Sequence, residues 1–443
     1  MSLKKETYDV IILGAGVAGI SAAVHSIGRG LRPLVIESTA NIGGRARSFE
    51  DRVSGDIIDN GQHVMMGCYE SFFHVLTKLG TMKRVKKQEF LSIPFYFPDG
   101  RRDLLHAKGI GNMHGPLGMA LGFMKLSFLS WKEKRSLLYF AFRLKLGMCK
   151  PGSMTAMELL LSESQSKRII DLVWTPVILA TMNGKPEEVS AKIFITVLRL
   201  AFFGSGDAST LYIPQCGLSE LFEPFQEWLE KQGGLLIQSN GIDRLHIVDD
   251  RIKGVYLQDG MYIESKKVIS AIPPHSLVKV LPETSISLSY ISQLNAIQYS
   301  PIISLYLWFD RPFPAIDIAA IMEASTQWVF QKTTKMRDGS SLLALTISAG
   351  NDIIHSSTEE LAHACATEIR LCFPEMNDAQ LLHWKVIKER MATVLIDPDT
   401  ENARLNSTTP ITGLLLAGDW TNTGLPATLE SAALSGKLAA SLL

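Results

Sequence analysis

Three glycines and an acid have the spacing in this chain that most clearly specifies chemistry. Gly14, Gly16 and Gly19 follow an unbroken apolar run, Val10 to Leu13, and Glu37 closes a second run eighteen residues after the last glycine. Strand, glycine turn, helix and strand is the reading. The first glycine lets the chain turn off its strand, the second lets the backbone approach a pyrophosphate, and the third lets the helix pack close to the sheet. The helix then offers free N–H groups to the phosphates, and Glu37 reaches the ribose hydroxyls. Ala18, Ala22 and Ala23 are small enough for that packing. The pattern predicts a bound adenine dinucleotide.

Two further segments bear on which dinucleotide. Gly43-Gly44-Arg45-Ala46-Arg47-Ser48 follows soon after Glu37 and Ser38. Near the other end, Leu414 to Ala417 leads into Gly418 and Asp419, then Gly424-Leu425-Pro426-Ala427-Thr428. A strand ending in Gly-Asp presents a carboxylate to hydroxyl groups, and Pro426 suits the first turn of a helix whose N–H groups point at what lies before it. Together these segments resemble the flavin-binding signatures of the flavin amine oxidase and carotenoid desaturase superfamily. The resemblance implies FAD as cofactor. It would be held by Gly14, Gly16, Ala18, Gly19, Glu37, Ser38, Gly44, Arg45, Gly61, Gln62, Ile242, Gly418, Asp419, Pro426, Ala427 and Thr428, with the last helix facing the pyrimidine edge of the flavin.

Asp59-Asn60-Gly61-Gln62-His63 is the most distinctive short motif. With Trp174-Thr175-Pro176-Val177-Ile178-Leu179-Ala180-Thr181-Met182-Asn183, Leu218-Ser219-Glu220-Leu221-Phe222 and the terminal 418–432 stretch, it is similar to the hydroxysqualene dehydroxylases, or squalene-associated flavin desaturases. The likeness spans nearly the whole chain and is thinnest over 81–160 and 286–400. It implies a reductive dehydroxylation in the formation of squalene, a triterpene and hopanoid precursor. The allylic hydroxyl leaves as water, and hydride from N5 of reduced flavin quenches the cation. Such a reaction needs a proton donor and an apolar tunnel that excludes water. Ile169 to Met182 and Val189 to Phe203 are the apolar segments available to line it. His63, Gln62 and Asp59 are the candidate catalytic residues. Imidazole titrates near neutrality, so His63 is the first candidate donor; holding its loop through a backbone hydrogen bond is an equally good reading. Asp59, ionised unless buried, fits an anchor of that loop better than a donor.

Other activities fit parts of this pattern. A carotenoid desaturase or isomerase would use the same fold and run the flavin oxidatively. An amine oxidase would want an aromatic cage, whereas Trp420 beside Asp419 has no paired tyrosines with it. A flavin-binding protein without catalysis is the third alternative, against which stand intact signatures at both chain ends. The single glycine fingerprint leaves no separate nicotinamide site, so the electron donor is not visible.

The elements that must position these residues follow from where the signatures lie. An α/β Rossmann-type FAD-binding domain is expected to be discontinuous, built from residues 1–80, 212–285 and 405–443. Residues 81–211 and 286–404 would form an inserted α+β substrate domain. The middle piece predicts an amphipathic helix from Leu218 to Lys231, a strand from Leu235 to Gln238, a hairpin around Asp249-Asp250-Arg251, and a strand and turn over Lys267 to Pro274. Ile302 to Phe309 and Ser341 to Ser348 read as strands of the insert.

At 443 residues the chain suits about two or three domain-sized units. Its five cysteines are scattered without a CxxC pair, which predicts neither a disulfide framework nor a zinc site. Net charge is zero, and no nucleic-acid partner is expected. Charge is unevenly placed, however: Thr81 to Lys150 holds fourteen Lys and Arg against four Asp and Glu. Gly109 to Met124 carries no charged residue but is too short and glycine-rich to span a bilayer. The stretch after it, Lys125 to Arg143, alternates aromatic and aliphatic residues with basic ones. A membrane-associating helical segment at 109–147, lying in the interface of an anionic bilayer, is therefore expected. A core helix pair with a solvated basic rim is the alternative. Met1 to Thr7 is polar and leaves no room for a signal peptide, so the expected location is cytoplasmic, peripheral on the inner face of the cell membrane.

Overall fold

Short, wholly apolar runs favour a parallel sheet covered on both faces. Val10–Leu13, Pro33–Ile36, Leu235–Ile237, Val268–Ser270 and Leu414–Leu416 form one, in the order 235–237, 33–36, 10–13, 268–270, 414–416. Its strands thus come from both ends and the middle of the sequence. This computed structural model describes residues 8–108, 115–204, 206–282, 285–336 and 339–443. Helix Val17–Gly28 packs along helix Leu429–Ser441 at backbone contact: a Cβ on Gly436 would lie 2.3 Å from the Ala18 carbonyl oxygen, and Ser21 Oγ donates to Ala433 O at 2.6 Å. Glu430, buried in the same helix, accepts from the N–H groups of Ser71 and Phe72 at 2.9 Å each, tying down the start of helix Glu70–Leu79.

A second, seven-stranded sheet runs in the order Leu381–Val394, Tyr299–Phe309, Ser341–Ser348, Trp328–Lys332, Ile318–Ile321, Ser92–Tyr96, Arg102–His106. It is antiparallel except where 318–321 meets 92–96. Along its 299–309 strand the side chains alternate between two environments. Ile303, Leu305 and Leu307 join Leu361, Cys365 and Ile369 of helix Thr358–Cys372 in one core, while Tyr306 and Trp308 face the other side. Helices Thr175–Met182 and Ala191–Phe203 belong to that other side. A wide π-type turn at Ile170–Trp174 leads into the first of them, where Pro176 has no N–H to return to the preceding turn.

Two expectations are corrected. The helix from Leu218 to Lys231 is two pieces, a 3-10 turn at Leu218–Leu221 and a helix at Phe225–Lys231, because Pro224 cannot donate within a continuous helix. Pro426 is not in the first turn of the terminal helix. That helix begins at Leu429, capped by the Thr428 hydroxyl, which accepts from Ser431 N at 3.2 Å. The hairpin expected around Asp249-Asp250-Arg251 does form: Asp249 and Asp250, both at positive φ, make the two-residue turn between Ile242–Val248 and Arg251–Leu257.

The basic, aromatic stretch forms helices Pro116–Lys125 and Trp131–Lys145, the second opened by a Ser130–Glu133 capping box. It buries Leu137, Phe140 and Leu144 and exposes Trp131, Tyr139, Phe142 and Leu146. Two of its basic residues are already engaged: Lys134 is buried with Nζ 5.3 Å from the centre of the Trp131 ring, and Arg143 pairs with Glu163 at 2.5 Å. Gly109 to His114 and Met1 to Thr7 lie outside the described residues. Among the described residues no helix is long and apolar enough to cross a membrane.

Candidate active site

The glycine turn has the stereochemistry its sequence requires. Gly14 sits at φ +93°, and a Cβ there would press on Ile272 and the Ala271 carbonyl. A Cβ on Gly19 would fall 1.9 Å from the Gly14 carbonyl oxygen, so only glycine lets the helix start so close to its strand. Gly16 differs, since the nearest atom to its Cβ would be Gly44 Cα at 3.9 Å and the remaining space is open cavity. That bare backbone, at the N-terminus of a helix with no acid in its first turn, fits a pyrophosphate. Glu37 bridges the turn: one carboxylate oxygen accepts from Ala15 N at 2.8 Å, the other from Thr39 N at 2.9 Å and Ser38 Oγ at 3.3 Å. Ser38, Gly44 and Ile242 line the same cavity.

Across the cradle, Arg45 Nη2 lies 2.6 Å from Asp419 Oδ1, and Arg45 Nη1 donates to Ala392 O at 2.6 Å. The charge of Asp419 outweighs the cost of burial and holds the Arg45 guanidinium above its ordinary pKa. Asp419 Oδ2 has no partner among the described residues and is available to ligand hydroxyls. Gly418 N is held by Ser435 Oγ at 2.7 Å. Ala427 and Thr428 line the cavity, whereas Pro426 does not. Arg404, which sequence reasoning missed, is buried beneath this loop and donates to Leu425 O at 2.7 Å, Asp419 O at 3.0 Å and Thr421 O. Burial pushes its guanidinium down to about 10, still charged at neutral pH.

The 59–63 loop is fixed from below. Asp59 does not line the cavity; it is buried, with Oδ1 accepting from Ser48 Oγ at 2.7 Å and Leu218 N at 3.0 Å. Tyr306, also missed in the sequence, accepts from Asp59 N at 3.0 Å and from Gln62 Nε2 at 2.6 Å, and donates to Asp59 O at 2.8 Å. Gly61, Gln62 and His63 do line the cavity. His63 Nδ1 lies 2.9 Å from Gly61 O, and because a carbonyl only accepts, the ring hydrogen is on Nδ1. Burial pushes the imidazole below its usual pKa, so at neutral pH His63 is uncharged and presents Nε2 as an acceptor. Proton donation would require the imidazolium, the form that burial disfavours.

From the glycine cradle the cavity continues without interruption past this loop, with a volume of about 1040 Å³. Its far part is apolar. Leu172, Val173, Pro176 and Val177 contribute from one helical segment, Val197, Ala201 and Phe202 from the next, and Ile93, Phe95, Ile318 and Phe330 from the seven-stranded sheet. Phe123, Leu126 and Phe128 line it beside the basic, aromatic helix. Where the two parts meet stands Glu389, on the 381–394 strand and cross-strand to Ile302; the Asn60 side-chain nitrogen lies 3.4 Å from its Oε2.

Comparisons with known proteins bear on the family and the fold. The flavin-containing amine oxidoreductase family model matches residues 17–443. A 15-cis-phytoene desaturase of Synechococcus elongatus is 26% identical over 97% of this chain and 94% of its own length. A hydroxysqualene dehydroxylase of Sinorhizobium fredii is 26% identical over 98% of both chains. In structure, an oxidoreductase of Methanosarcina mazei superposes with a TM-score of 0.74 at 15% identity, covering 97% of this chain and 98% of that one, which shows a shared fold.

Proposed function

The chain belongs to the flavin-containing amine oxidoreductase family, and from that premise we propose that this FAD-dependent enzyme reduces hydroxysqualene to squalene. The observation that carries the proposal is the unbroken cavity, which joins a dinucleotide cradle to an apolar tunnel suited to a long hydrocarbon. The near full-length likeness to a hydroxysqualene dehydroxylase and the DNGQH loop at the junction support the same substrate. FAD, when bound and reduced, supplies hydride. The protein's part is to hold the pyrophosphate at Gly14 to Gly19, receive hydroxyls at Asp419 and Glu37, and keep water from the allylic cation with the aliphatic wall of the tunnel. Neutral His63 accepts from the substrate hydroxyl at Nε2 and so orients it.

A polyisoprenoid desaturase is the second reading, favoured by the equal identity to the phytoene desaturase. One experiment separates the two. Purified enzyme with chemically reduced FAD in deuterium oxide should convert hydroxysqualene to squalene bearing one deuterium at the former carbinol carbon, and oxidised enzyme should leave the alcohol unchanged. Conjugated polyenes from phytoene, with no turnover of the alcohol, would establish the desaturase instead.

The exposed aromatic and basic face of the 131–145 helix further supports a peripheral position on an anionic bilayer, at the cytoplasmic surface, from which an apolar substrate would enter beside Phe123 and Phe128. The electron donor to FAD is a separate, external component in this reading.

A further inference from the structure

Loss of a hydroxyl as water consumes a proton, and the neutral His63 is built to accept rather than to give one. We propose that the carboxyl of Glu389 is the group that protonates the leaving hydroxyl, an inference that rests on the dehydroxylase reading above.

Among the described residues four carboxyl residues line the cavity, and three are committed elsewhere. Glu37 is bonded to the glycine turn and to Thr39, Asp419 to Arg45, and Asp243, beside the dinucleotide end, to Arg244 at 3.2 Å. Glu389 alone has no Lys, Arg or His within ion-pair distance among the described residues, although the charge of Arg45, itself paired with Asp419, reaches it from farther off; its one hydrogen bond is the long contact from Asn60. Its position is also the useful one. Strand alternation sends Lys388 to the opposite face, where it reaches Ser356 O, and turns Glu389 with Ile302 toward the cavity. Asn60 belongs to the same loop as Gly61 and His63, so acid and acceptor flank the junction between cradle and tunnel.

The step balances. A proton passes from Glu389 to the hydroxyl oxygen, and the C–O bond breaks with its electron pair leaving on water. The allylic carbon, short of two electrons, takes hydride from reduced FAD, which is oxidised. Glu389 regains its proton from solvent after product leaves. An apolar chain filling the tunnel displaces water from around the carboxyl and the reacting carbon. The carboxylate formed by the transfer then faces the cation in surroundings where opposite charges attract strongly.

The test compares hydroxysqualene with its analogue in which chlorine replaces the hydroxyl, since chloride leaves without a proton. Glu389→Gln should slow hydroxysqualene turnover by roughly 10²–10⁴-fold, the span of general acid catalysis, while the chloride analogue still reacts at close to the unmodified enzyme's rate. The flavin absorbance per protein, and the shift of the oxidised flavin spectrum on adding hydroxysqualene, should both match the unmodified enzyme. Glu389→Asp, which keeps a carboxyl, should recover part of the lost rate. Equal slowing on both substrates, undiminished turnover of the alcohol, or loss of flavin from both variants would overturn the assignment. An unmodified enzyme inert toward hydroxysqualene is a different outcome, which removes the dehydroxylase reading and the role of Glu389 with it.

Discussion

At Gly16 an added side chain meets open cavity, while at Gly19 it meets backbone at 1.9 Å, so two glycines of one motif should fail in different ways. Gly16 has φ −74° and ψ 178°, a conformation any residue adopts. Gly16→Val should therefore fold with an unchanged circular dichroism spectrum yet purify without FAD, its isopropyl group standing where the pyrophosphate approaches. Gly19→Val should instead lower the yield of folded protein. A yellow Gly16→Val would mean that the cradle is used otherwise. The glycine turn was legible in the sequence because few residue types permit its close backbone approaches. Tyr306, Glu389 and Arg404 were not, because their roles depend on which strand face or loop carbonyls they meet after folding, and nothing local in the sequence specifies that.

Among elements, those decided by local pattern were read closely: Pro33–Ile36 and Ser341–Ser348 have the limits their apolar runs suggest. Where a proline or a cap competes with periodicity, the reading failed, as at Pro224 and Thr428. Contacts between elements beyond the close approach at Gly19 were not legible, and one of them is expected to make the protein sensitive to acid. His25 of the 17–28 helix stacks on His74 of the 70–79 helix, ring centres 5.0 Å apart, with Lys78 and Lys437 nearby. Burial, then the charge of His74 and the two lysines, pushes His25 down to about 4; His74 is lowered too, by burial and the same lysines. An unfolded histidine titrates near ~6.5, so as pH falls from there toward 4 the unfolded chain binds more protons than the folded one and stability is lost. His25→Gln should flatten the fall of Tm across that window and leave Tm above pH 7 little changed. An equally steep fall in the variant would place the acid sensitivity elsewhere.

At the scale of the whole molecule, the proposed hydrocarbon substrate would pose a problem of delivery, since such a substrate resides in lipid. The 116–146 region has two faces that would suit such delivery. Phe123, Leu126 and Phe128 line the cavity, while Trp131 is 71% exposed and Tyr139, Phe142 and Leu146 are each nearly 60% exposed on the outside. Lys132, Arg135 and Lys145 share that outer surface, whereas Lys134 and Arg143 are occupied within the fold. The sequence showed the surplus of basic residues but not which were free, because pairing with Glu163 joins positions twenty residues apart. If the region rests on an anionic bilayer, each free basic residue contributes about 1 kcal/mol, and replacing Lys132, Arg135 and Lys145 by Gln should weaken binding to phosphatidylserine vesicles by roughly a hundredfold. Replacing Arg143 instead should cost stability through the unpaired Glu163 rather than vesicle affinity. Trp131→Ser with Phe142→Ser should weaken binding at any salt concentration, while the basic-residue effect should fade as salt rises. Binding unaltered by either set, with flavin retained, would return the helix to a purely structural role and require another route by which hydrocarbon reaches the tunnel.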